Sequence, residues 1–269
     1  MKTDSHSHSI FSPDGHIPIS EMAKRAIEAN GSYLAVTDHC DRDVLQEGNN
    51  APDGWGQLEL AAYFEEYKKV KHEISQKENK DFYLAFGIEA GYDEAASKDY
   101  VEIIQKYPFD VVINSVHFVE GYDVYFPMIF DKYPKDRAYT LYLEKVLKSL
   151  DVEYRYDIVG HIGYCTRNAS YPDPVMHYGE FEELLEKILK KVIEKGKTLE
   201  VNTHHALCPN REILEKYYAF GGRKISFGSD AHRGDVYKDY DETVALLKSI
   251  GFSGLTYFIQ GKENFAPFN

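Results

Sequence analysis

The sequence contains little cysteine. Its 269 residues include three, Cys40, Cys165 and Cys208, which stand far apart in the chain. This number and spacing exclude a disulfide framework and a zinc knuckle, and they favour a reducing compartment. The first residues lack the basic and apolar parts of a signal peptide, and no apolar run is long enough to cross a bilayer. We therefore expect a cytoplasmic protein without a membrane partner.

Basic residues are also scarce. The 31 Lys and Arg residues stand against 44 Asp and Glu residues, which gives a formal net charge of −13. This balance argues against a general nucleic-acid binder, because such a protein needs a basic face. The negative net charge is compatible with a small phosphorylated substrate, since bound divalent cations would reverse the local field. The sequence also lacks a Walker-type glycine-rich loop, so metals and arginines would have to bind any phosphate.

No linker or change of composition divides the chain, so we expect one domain over residues 1–269. Apolar strand-like runs alternate with amphipathic helical segments, which predicts a parallel sheet. After a short first strand that ends at His6 and His8, strands are predicted at residues 32–37, 82–88, 110–116, 156–160, 198–201, 224–227 and 255–258. Helices are predicted at residues 17–30, 58–77, 97–107, 137–150, 180–195, 209–220 and 240–250.

About seven or eight strand–helix units favour closure into a barrel of the (β/α)8 type. A doubly wound open sheet is the alternative, but it would concentrate ligands at one switch point and explain fewer of the polar positions. Residues 40–56 and 119–134 are predicted to be long irregular connections. The length and polarity of the first connection favour a functional role.

Histidines and carboxylates recur where the predicted strands end. His6 and His8 lie two residues apart, so strand alternation puts them on one face, where two imidazoles can share a divalent cation. The later strands end at or near His39, Glu89, His117, His161, Asp230 and His232. In a (β/α) barrel, side chains at the carboxyl ends of the strands gather on one rim. One such histidine is more often an ordinary buried or surface residue, but the whole set predicts a metal centre.

Imidazole and carboxylate ligands without cysteine suit zinc, iron or manganese. With Asp14 in the first loop the set has about nine candidate ligands, which is more than one ion takes. We therefore expect two or three divalent metal ions, with a carboxylate such as Glu89 bridging a pair. Such clusters generate hydroxide at neutral pH and clamp the oxygens of a phosphoryl group. The residues thus predict hydrolysis of a phosphate ester.

Seven short motifs resemble, in order, those of the PHP (polymerase and histidinol phosphatase) superfamily. They are DSHSH at residue 4, TDH ending at His39, GIEAGY around Glu89, SVHF at His117, VGHIGY at His161, LEVNT at Glu200 and GSDAH at Asp230 and His232. The chain length, the absence of polymerase domains and the SVHF and LEVNT stretches resemble the stand-alone histidinol-phosphate phosphatases. The resemblance implies a distorted (β/α)7 barrel, similar to a TIM barrel, with a trinuclear metal site at the carboxyl rim.

The resemblance also implies roles for individual residues. It gives three metal positions, with ligands His6, His8, Glu89 and Asp230 at the first, Asp14, His39 and His232 at the second, and Glu89, His117 and His161 at the third. A hydroxide bridging the metals would attack phosphorus in line, and Asp230 or a nearby histidine would protonate the leaving alkoxide. Glu89, Asp230 and His232 are therefore the candidate catalytic residues. Relatives vary at the position of Asp14, where histidine or glutamate also occurs.

The candidate substrate-binding residues are those that stand close in sequence to the predicted ligands and motifs. Arg167, soon after His161, is the candidate phosphate clamp, with Arg233 and Arg211 as weaker candidates. Many relatives continue the LEVNT motif with small residues, whereas this chain continues it with His204 and His205. These two histidines either contact the substrate or narrow the pocket. The sequence leaves the role of Glu200 open, since this residue either orients a metal ligand or contacts the substrate.

The resemblance implies metal-dependent hydrolysis of L-histidinol phosphate to L-histidinol and phosphate, a step of histidine biosynthesis. One alternative is a PHP phosphoesterase that acts on another small phosphate ester, such as a sugar phosphate or a nucleotide. A PHP-type 3′–5′ exonuclease is a further alternative, which the net charge of −13 disfavours. A metal-binding or regulatory barrel without activity is the third. The sequence leaves the oligomeric state open.

Overall fold

The computed structural model describes residues 1–45, 48–49, 55, 58–76 and 81–268. Its strands are β1 (Thr3–Asp4), β2 (Tyr33–Val36), β3 (Tyr83–Gly91), β4 (Val111–Ser115), β5 (Phe118–Val119), β6 (Tyr122–Asp123), β7 (Ile158–Val159), β8 (Thr198–Asn202), β9 (Ile225–Gly228), β10 (Gly254–Ile259) and β11 (Lys262–Pro267). Seven of them form one parallel sheet in the order β1-β2-β3-β4-β7-β8-β9.

The two outer strands of this order meet each other. Ser5 N donates to Phe227 O over 2.8 Å, and an isolated parallel bridge pairs Ser7 with Ala231 beyond the ends of β1 and β9. The sheet therefore curves into a nearly closed barrel, which confirms the predicted (β/α)7 architecture. The open doubly wound sheet is wrong, because its outer strands would lie at opposite edges.

The helices are α1 (Ile19–Glu28), α2 (Leu60–Ser75), α3 (Ser97–Lys106), α4 (Met128–Lys132), α5 (Lys135–Ser149), α6 (Glu182–Glu194), α7 (Arg211–Ala219) and α8 (Tyr240–Ile250). Most of them bury one apolar stripe and expose a charged face. In α6 the buried residues recur at the spacing of one helix face, Leu185, Ile188, Leu189 and Val192. Among the described residues, no helix is both long and apolar enough to cross a membrane.

Successive residues of the barrel strands belong to two separate apolar clusters. In β2, Leu34 and Val36 pack with the helices, whereas Tyr33 and Ala35 pack in a smaller cluster with Val111 and other strand residues. This alternation is the two-residue period of a strand with one face toward the barrel interior and the other toward the helices. Aliphatic and aromatic side chains of this smaller cluster fill the interior beneath the polar strand ends.

The last two strands form a hairpin that closes the amino end of the barrel. Residues 255–258 were predicted as the final strand-like segment, but β10 pairs antiparallel with β11, a strand that the sequence analysis missed. Tyr33 Oη donates to Phe258 O over 2.8 Å, and Gly261 N donates to Asp110 O over 3.0 Å. Tyr33 and Asp110 stand at the beginnings of β2 and β4, so the hairpin lies opposite the carboxyl rim.

Residues 119–134 were predicted to be an irregular connection, but they contain strand β6 and helix α4. Strand β3 extends to Gly91, so Glu89 lies within it rather than after it. The other predicted helices and barrel strands agree with the structure to within about two residues at each end. Of the predicted loop 40–56, Arg42–Leu45 is a short 3-10 helix, and residues 46–47, 50–54 and 56 lie outside the described residues, as does residue 77 of the predicted second helix.

Candidate metal centre

The carboxyl rim of the barrel brings the predicted ligands together. His6 and His8 follow β1, Glu89 lies in β3, and the other strand ends supply His39, His117, His161, Asp230 and His232. These side chains are buried or nearly buried, and Asp14 reaches them from the first loop. Residues that are up to 226 positions apart in sequence (His6 and His232) thus share one site, because parallel strands all end at the same rim.

One group of ligand atoms lies around the amino-terminal histidines. His6 Nε2 is 3.0 Å from His8 Nε2, and Asp230 Oδ1 is 3.2 Å from His8 Nε2. Asp230 adopts a left-handed backbone conformation, with φ at 52°. Strained backbone of this kind occurs at functional sites, and here it aims the carboxylate at the two imidazoles.

The carboxylate of Glu89 lies at the centre of the cluster. Its Oε1 is 2.7 Å from His161 Nε2 and 3.2 Å from His117 Nε2. Its Oε2 is 3.0 Å from His39 Nδ1 and 3.3 Å from His6 Nε2. Because its two oxygens face different histidines, Glu89 has the placement that the sequence analysis expected of a bridging ligand.

Asp14 completes a third group. Its Oδ2 lies 3.2 Å from His232 Nε2, and its Oδ1 lies 3.7 Å from His39 Nε2. His8, His39 and His232 also have ring nitrogens within 4.8 Å of one another. The grouping of Asp14, His39 and His232 is the one that the resemblance implies for the second metal.

Two of the predicted ligands, Glu89 and His8, have the protonation state that suits metal binding. Burial opposes ionisation of Glu89, but the imidazoles of His6 and His117 hold the pKa of its carboxyl well below the usual range. Burial and the neighbouring imidazole of His232 lower the pKa of His8 to about 3. An ionised carboxylate and a neutral imidazole are the forms that coordinate a metal.

The donor set fits divalent cations. Several triads of His, Asp and Glu have ligand atoms within 4.8 Å of one another, among them His6, His8 and Asp230. Glu89 Oε2 and Asp14 Oδ1 are buried and have no hydrogen-bond partner among the described residues. Buried polar atoms without a partner are costly, so a cation that they coordinate would stabilise this arrangement.

Chain oxygens lie against the far nitrogen of several ligand rings. His6 Nδ1 is 2.5 Å from Glu200 Oε1, and His8 Nδ1 is 3.0 Å from Ser12 Oγ. Ser12 Oγ in turn donates to Asp38 Oδ1 over 2.7 Å. Glu200, whose role the sequence left open, therefore contacts a predicted ligand and is absent from the described residues that line the cavity.

A cavity of about 260 Å³ opens above the cluster. Arg167 lines it, and Arg167 Nη2 donates to Asn202 Oδ1 over 2.7 Å and to Asp230 Oδ2 over 2.9 Å. The guanidinium carbon lies 4.8 Å from the centre of the Tyr164 ring. Arg167 Nε is buried without a hydrogen-bond partner among the described residues. Arg167 therefore has a donor left for an anion in the cavity.

The PHP domain family model matches residues 4–204 of the chain. This chain belongs to the PHP domain family. It is 30% identical over 244 residues, 89% of this chain and 88% of the relative, to a protein of Clostridium acetobutylicum named "Probable histidinol-phosphatase". It is 29% identical over 267 residues, 96% of this chain and 94% of the relative, to the histidinol-phosphatase of Lactococcus lactis. These matches confirm the predicted family.

A solved structure extends the comparison to the whole fold. It is a histidinol phosphate phosphatase from Lactococcus lactis in complex with Zn, L-histidinol and phosphate. This PHP chain matches it with a TM-score of 0.86 at 26% identity, covering 98% of each chain.

Not every predicted residue reaches the site of this PHP domain. Arg233 and His204 line the cavity. His205 is exposed beside the Tyr125 ring, 6.0 Å between ring centres, and is not among the described lining residues. Arg211 lies on the surface of α7, where its Nε donates to Glu215 over 2.7 Å. The structure thus leaves Arg211 outside the cavity, because α7 presents that side chain to its own next turn.

The sequence analysis missed several polar residues of this PHP site, among them Asn202 and Asp41. Asn202, at the end of β8, accepts the hydrogen bond from Arg167. Asp41 lies beside His39 and His117, with Asp41 Oδ2 3.0 Å from His39 Nδ1. The LEVNT motif contains Asn202, and the spacing of Asp41 from His39 is the spacing of His6 from His8. Either pattern would have indicated the residue.

Proposed function

We propose that this PHP chain is a metal-dependent phosphomonoesterase that hydrolyses L-histidinol phosphate to L-histidinol and phosphate. The observation that carries the proposal is the position of Arg167 directly beside the histidine–carboxylate cluster, with a buried donor, Nε, that has no partner among the described residues. The same fold in Lactococcus lactis is a histidinol phosphate phosphatase that was solved with Zn, L-histidinol and phosphate. Both facts support a phosphate ester as the substrate and the proposed step of histidine biosynthesis.

The residues of the rim would hold two or three divalent ions of zinc, manganese or iron. We assign them as the resemblance does, with Glu89 shared between two positions and Asp14 in the second. Bound there, divalent ions lower the pKa of a coordinated water and neutralise charge on phosphoryl oxygens.

The side chains around the cluster bind and orient the ester. Arg167 binds phosphate oxygens through its guanidinium group, and Asn202 and Tyr164 fix the plane of that group. Asp230 and His232 line the cavity beside Arg167, so we propose them, with Glu89, as the catalytic residues. The leaving oxygen of the ester would accept its proton on this side of the cavity.

Part of the cavity lining suits an organic cation with an aromatic ring. Trp55, Tyr125 and Phe126 line it, and an imidazole ring can pack against such side chains. Asp123 and Asp235 also line it, and their negative charge favours a substrate that carries an ammonium group. Histidinol phosphate has both groups, whereas a sugar phosphate has neither.

Phosphate release from a panel of esters tests the proposal. The metal-loaded protein is incubated with histidinol phosphate, p-nitrophenyl phosphate, a nucleotide monophosphate and a sugar phosphate, with a chelator-treated sample as the control. We expect the highest kcat/KM for histidinol phosphate and no release after chelation. Metal-dependent release from the other esters alone would reject the substrate and keep the chemistry. No release from any ester would reject the enzyme.

We also propose that the chain acts as one domain over residues 1–269, in the cytoplasm and without a nucleic-acid substrate. The net charge of −13 and the three separate cysteines support the last two points. Single-stranded DNA labelled at its 5′ end is expected to stay intact under the metal conditions that release phosphate. Shortening of this DNA would favour the exonuclease alternative.

A further inference from the structure

Three of the ligand histidines share one orientation. In His6, His8 and His232, Nε2 faces the carboxylates of the cluster, and Nδ1 lies against an oxygen of the chain. For His232 this oxygen is the main-chain O of Asp230, at 2.8 Å. An oxygen at Nδ1 keeps the proton there and leaves the lone pair of Nε2 free for a metal.

The Nδ1 atoms of His39 and His117 both face one carboxylate, and His39 Nδ1 has no aligned hydrogen-bond partner among the described residues. Asp41 Oδ2 is 3.0 Å from His39 Nδ1, and Asp41 Oδ1 is 3.5 Å from His117 Nδ1. The Nε2 atoms face other carboxylates, that of His39 toward Asp14 and that of His117 toward Glu89. Asp41 is therefore placed between two imidazoles whose other nitrogens point into separate ligand groups.

We propose that Asp41 is a positioning residue that holds His39 and His117 together in the form protonated at Nδ1. One carboxylate would then present the Nε2 atoms of ligands that belong to two different metal positions. Loss of Asp41 would weaken both positions at once. Glu200 differs from Asp41, because it contacts one ligand ring, that of His6, and also accepts a hydrogen bond from the main-chain N of His161. The inference rests on the proposed metal centre and not on the identity of the ester.

The surroundings of Asp41 support a fixed orientation. The Tyr100 hydroxyl bonds both Cys40 O, at 2.7 Å, and Gly91 O, at 2.6 Å, and so ties the segment before Asp41 to the end of β3. A side chain at position 91 would place its Cβ 2.8 Å from Asp41 Oδ1. Glycine at this position therefore leaves the room that the carboxylate occupies.

The contacts of Asp41 differ from those of Glu89. The Asp41 side chain is 2% exposed and faces the imidazoles of His39 and His117. Glu89 Oε2 lies equally close to His39 Nδ1, at 3.0 Å, but the oxygens of Glu89 also face His6, His117 and His161. Asp41 is the carboxylate that contacts only the far nitrogens.

Metal binding by Asp41→Asn tests the inference without substrate. Chelator-treated wild type and variant are titrated with Zn²⁺ in competition with a coloured chelator, and the ions bound at saturation are counted by elemental analysis. We expect the variant to bind as many ions as wild type, with two positions weakened about 10- to 100-fold. In ¹⁵N spectra of the zinc-loaded wild type, Nδ1 of His39 and of His117 should carry the proton.

Asp43→Asn is the matched control. Asp43 is also fully buried and stands two residues away, but Asp43 Oδ1 accepts a hydrogen bond from Val44 N. We expect this variant to bind Zn²⁺ within about threefold of wild type. An equal loss of Zn²⁺ affinity in Asp43→Asn would show that disturbance of the loop, and not the carboxylate of Asp41 itself, weakens metal binding. One ion fewer in Asp41→Asn would make Asp41 a ligand, and unchanged affinity or a proton on Nε2 would also overturn the inference.

Discussion

Arg167 can interact with two negative groups, the carboxylate of Asp230 and the phosphate of the proposed substrate. Its Nη2 pairs with Asp230, a predicted metal ligand, while Nε stays without a partner among the described residues. Asp230 holds the guanidinium group in place, and a phosphate group would then add to the contacts of the same guanidinium. The buried position strengthens this interaction, because the local dielectric constant is low.

Replacing Arg167 by alanine should therefore lower activity more than stability. Hydrogen bonds to charged groups contribute about 1.5–3 kcal/mol, so we expect kcat/KM for histidinol phosphate to fall about 10- to 100-fold. Steady-state kinetics measure this change, with zinc content and circular dichroism as checks of the metal centre and the fold. Arg211→Ala is the control, because Arg211 pairs with Glu215 on the surface of α7. Equal kinetics of the two variants would remove Arg167 from the site.

The three thiols should be unreactive in the native protein. Burial raises the pKa of Cys40 and of Cys208 to about 12 and holds that of Cys165 well above its usual value. The thiolate is the reactive form, so a raised pKa leaves almost none of it at pH 8. Ellman's reagent should therefore detect no thiol in the native state and three per chain in guanidinium chloride. Rapid labelling of the native protein at pH 8 would contradict this prediction.

At the scale of secondary-structure elements, the two ends of the barrel differ in structure. The carboxyl rim carries polar side chains, and the amino end is closed by the β10–β11 hairpin. Phe258, 5% exposed, packs in the interior cluster, whereas Phe265 on β11 is 53% exposed. The hairpin therefore offers a buried and an exposed phenylalanine for comparison.

Phe258→Ala should destabilise the protein without changing the active site. Removal of a buried phenylalanine ring costs about 3–5 kcal/mol, and the residue lies at the end of the barrel opposite the cluster. Urea unfolding should show this loss, with kcat/KM of the folded fraction unchanged. Phe265→Ala should change the free energy of unfolding by less than about 1 kcal/mol. Similar losses in both variants would mean that the hairpin does not pack as described.

At the scale of the whole molecule, the metal centre joins distant parts of the barrel. Its ligands come from the carboxyl ends of strands and from adjoining loops across the whole parallel sheet, from β1 to β9, and β1 and β9 meet beside it. The unfolded chain has no such site, so bound metal stabilises the folded state by mass action.

Removal of metal should therefore lower Tm. At a free metal concentration of 100 times Kd the stabilisation is about 2.7 kcal/mol per ion, which corresponds to a rise in Tm of roughly 5–10 °C for a chain of this size. Calorimetry with Zn²⁺ and with a chelator measures the difference. In Glu89→Ala, which lacks the central carboxylate, the shift should be much smaller. A Tm that does not depend on metal in the wild type would argue against a structural contribution of the centre.

The sequence by itself determined the elements and the set of strand-end ligands. Helix and strand periods are local, so α8 was predicted to the residue and β2 to within about one residue. The carboxyl ends of parallel strands must share a rim, which is why His39, His117 and His161 could be assigned to one site without coordinates. The ordered motifs supplied the family.

Tertiary structure decided what depends on contacts between distant segments. The bonds between β1 and β9 join residues more than 200 positions apart and exclude the open sheet, yet neither strand shows its partner by its own pattern. Likewise, the hairpin at the amino end, the Arg167–Asn202 bond and the place of Asp41 between two imidazoles arise from packing. Periodicity tells which face a side chain takes, but only the assembled barrel determines what lies opposite it.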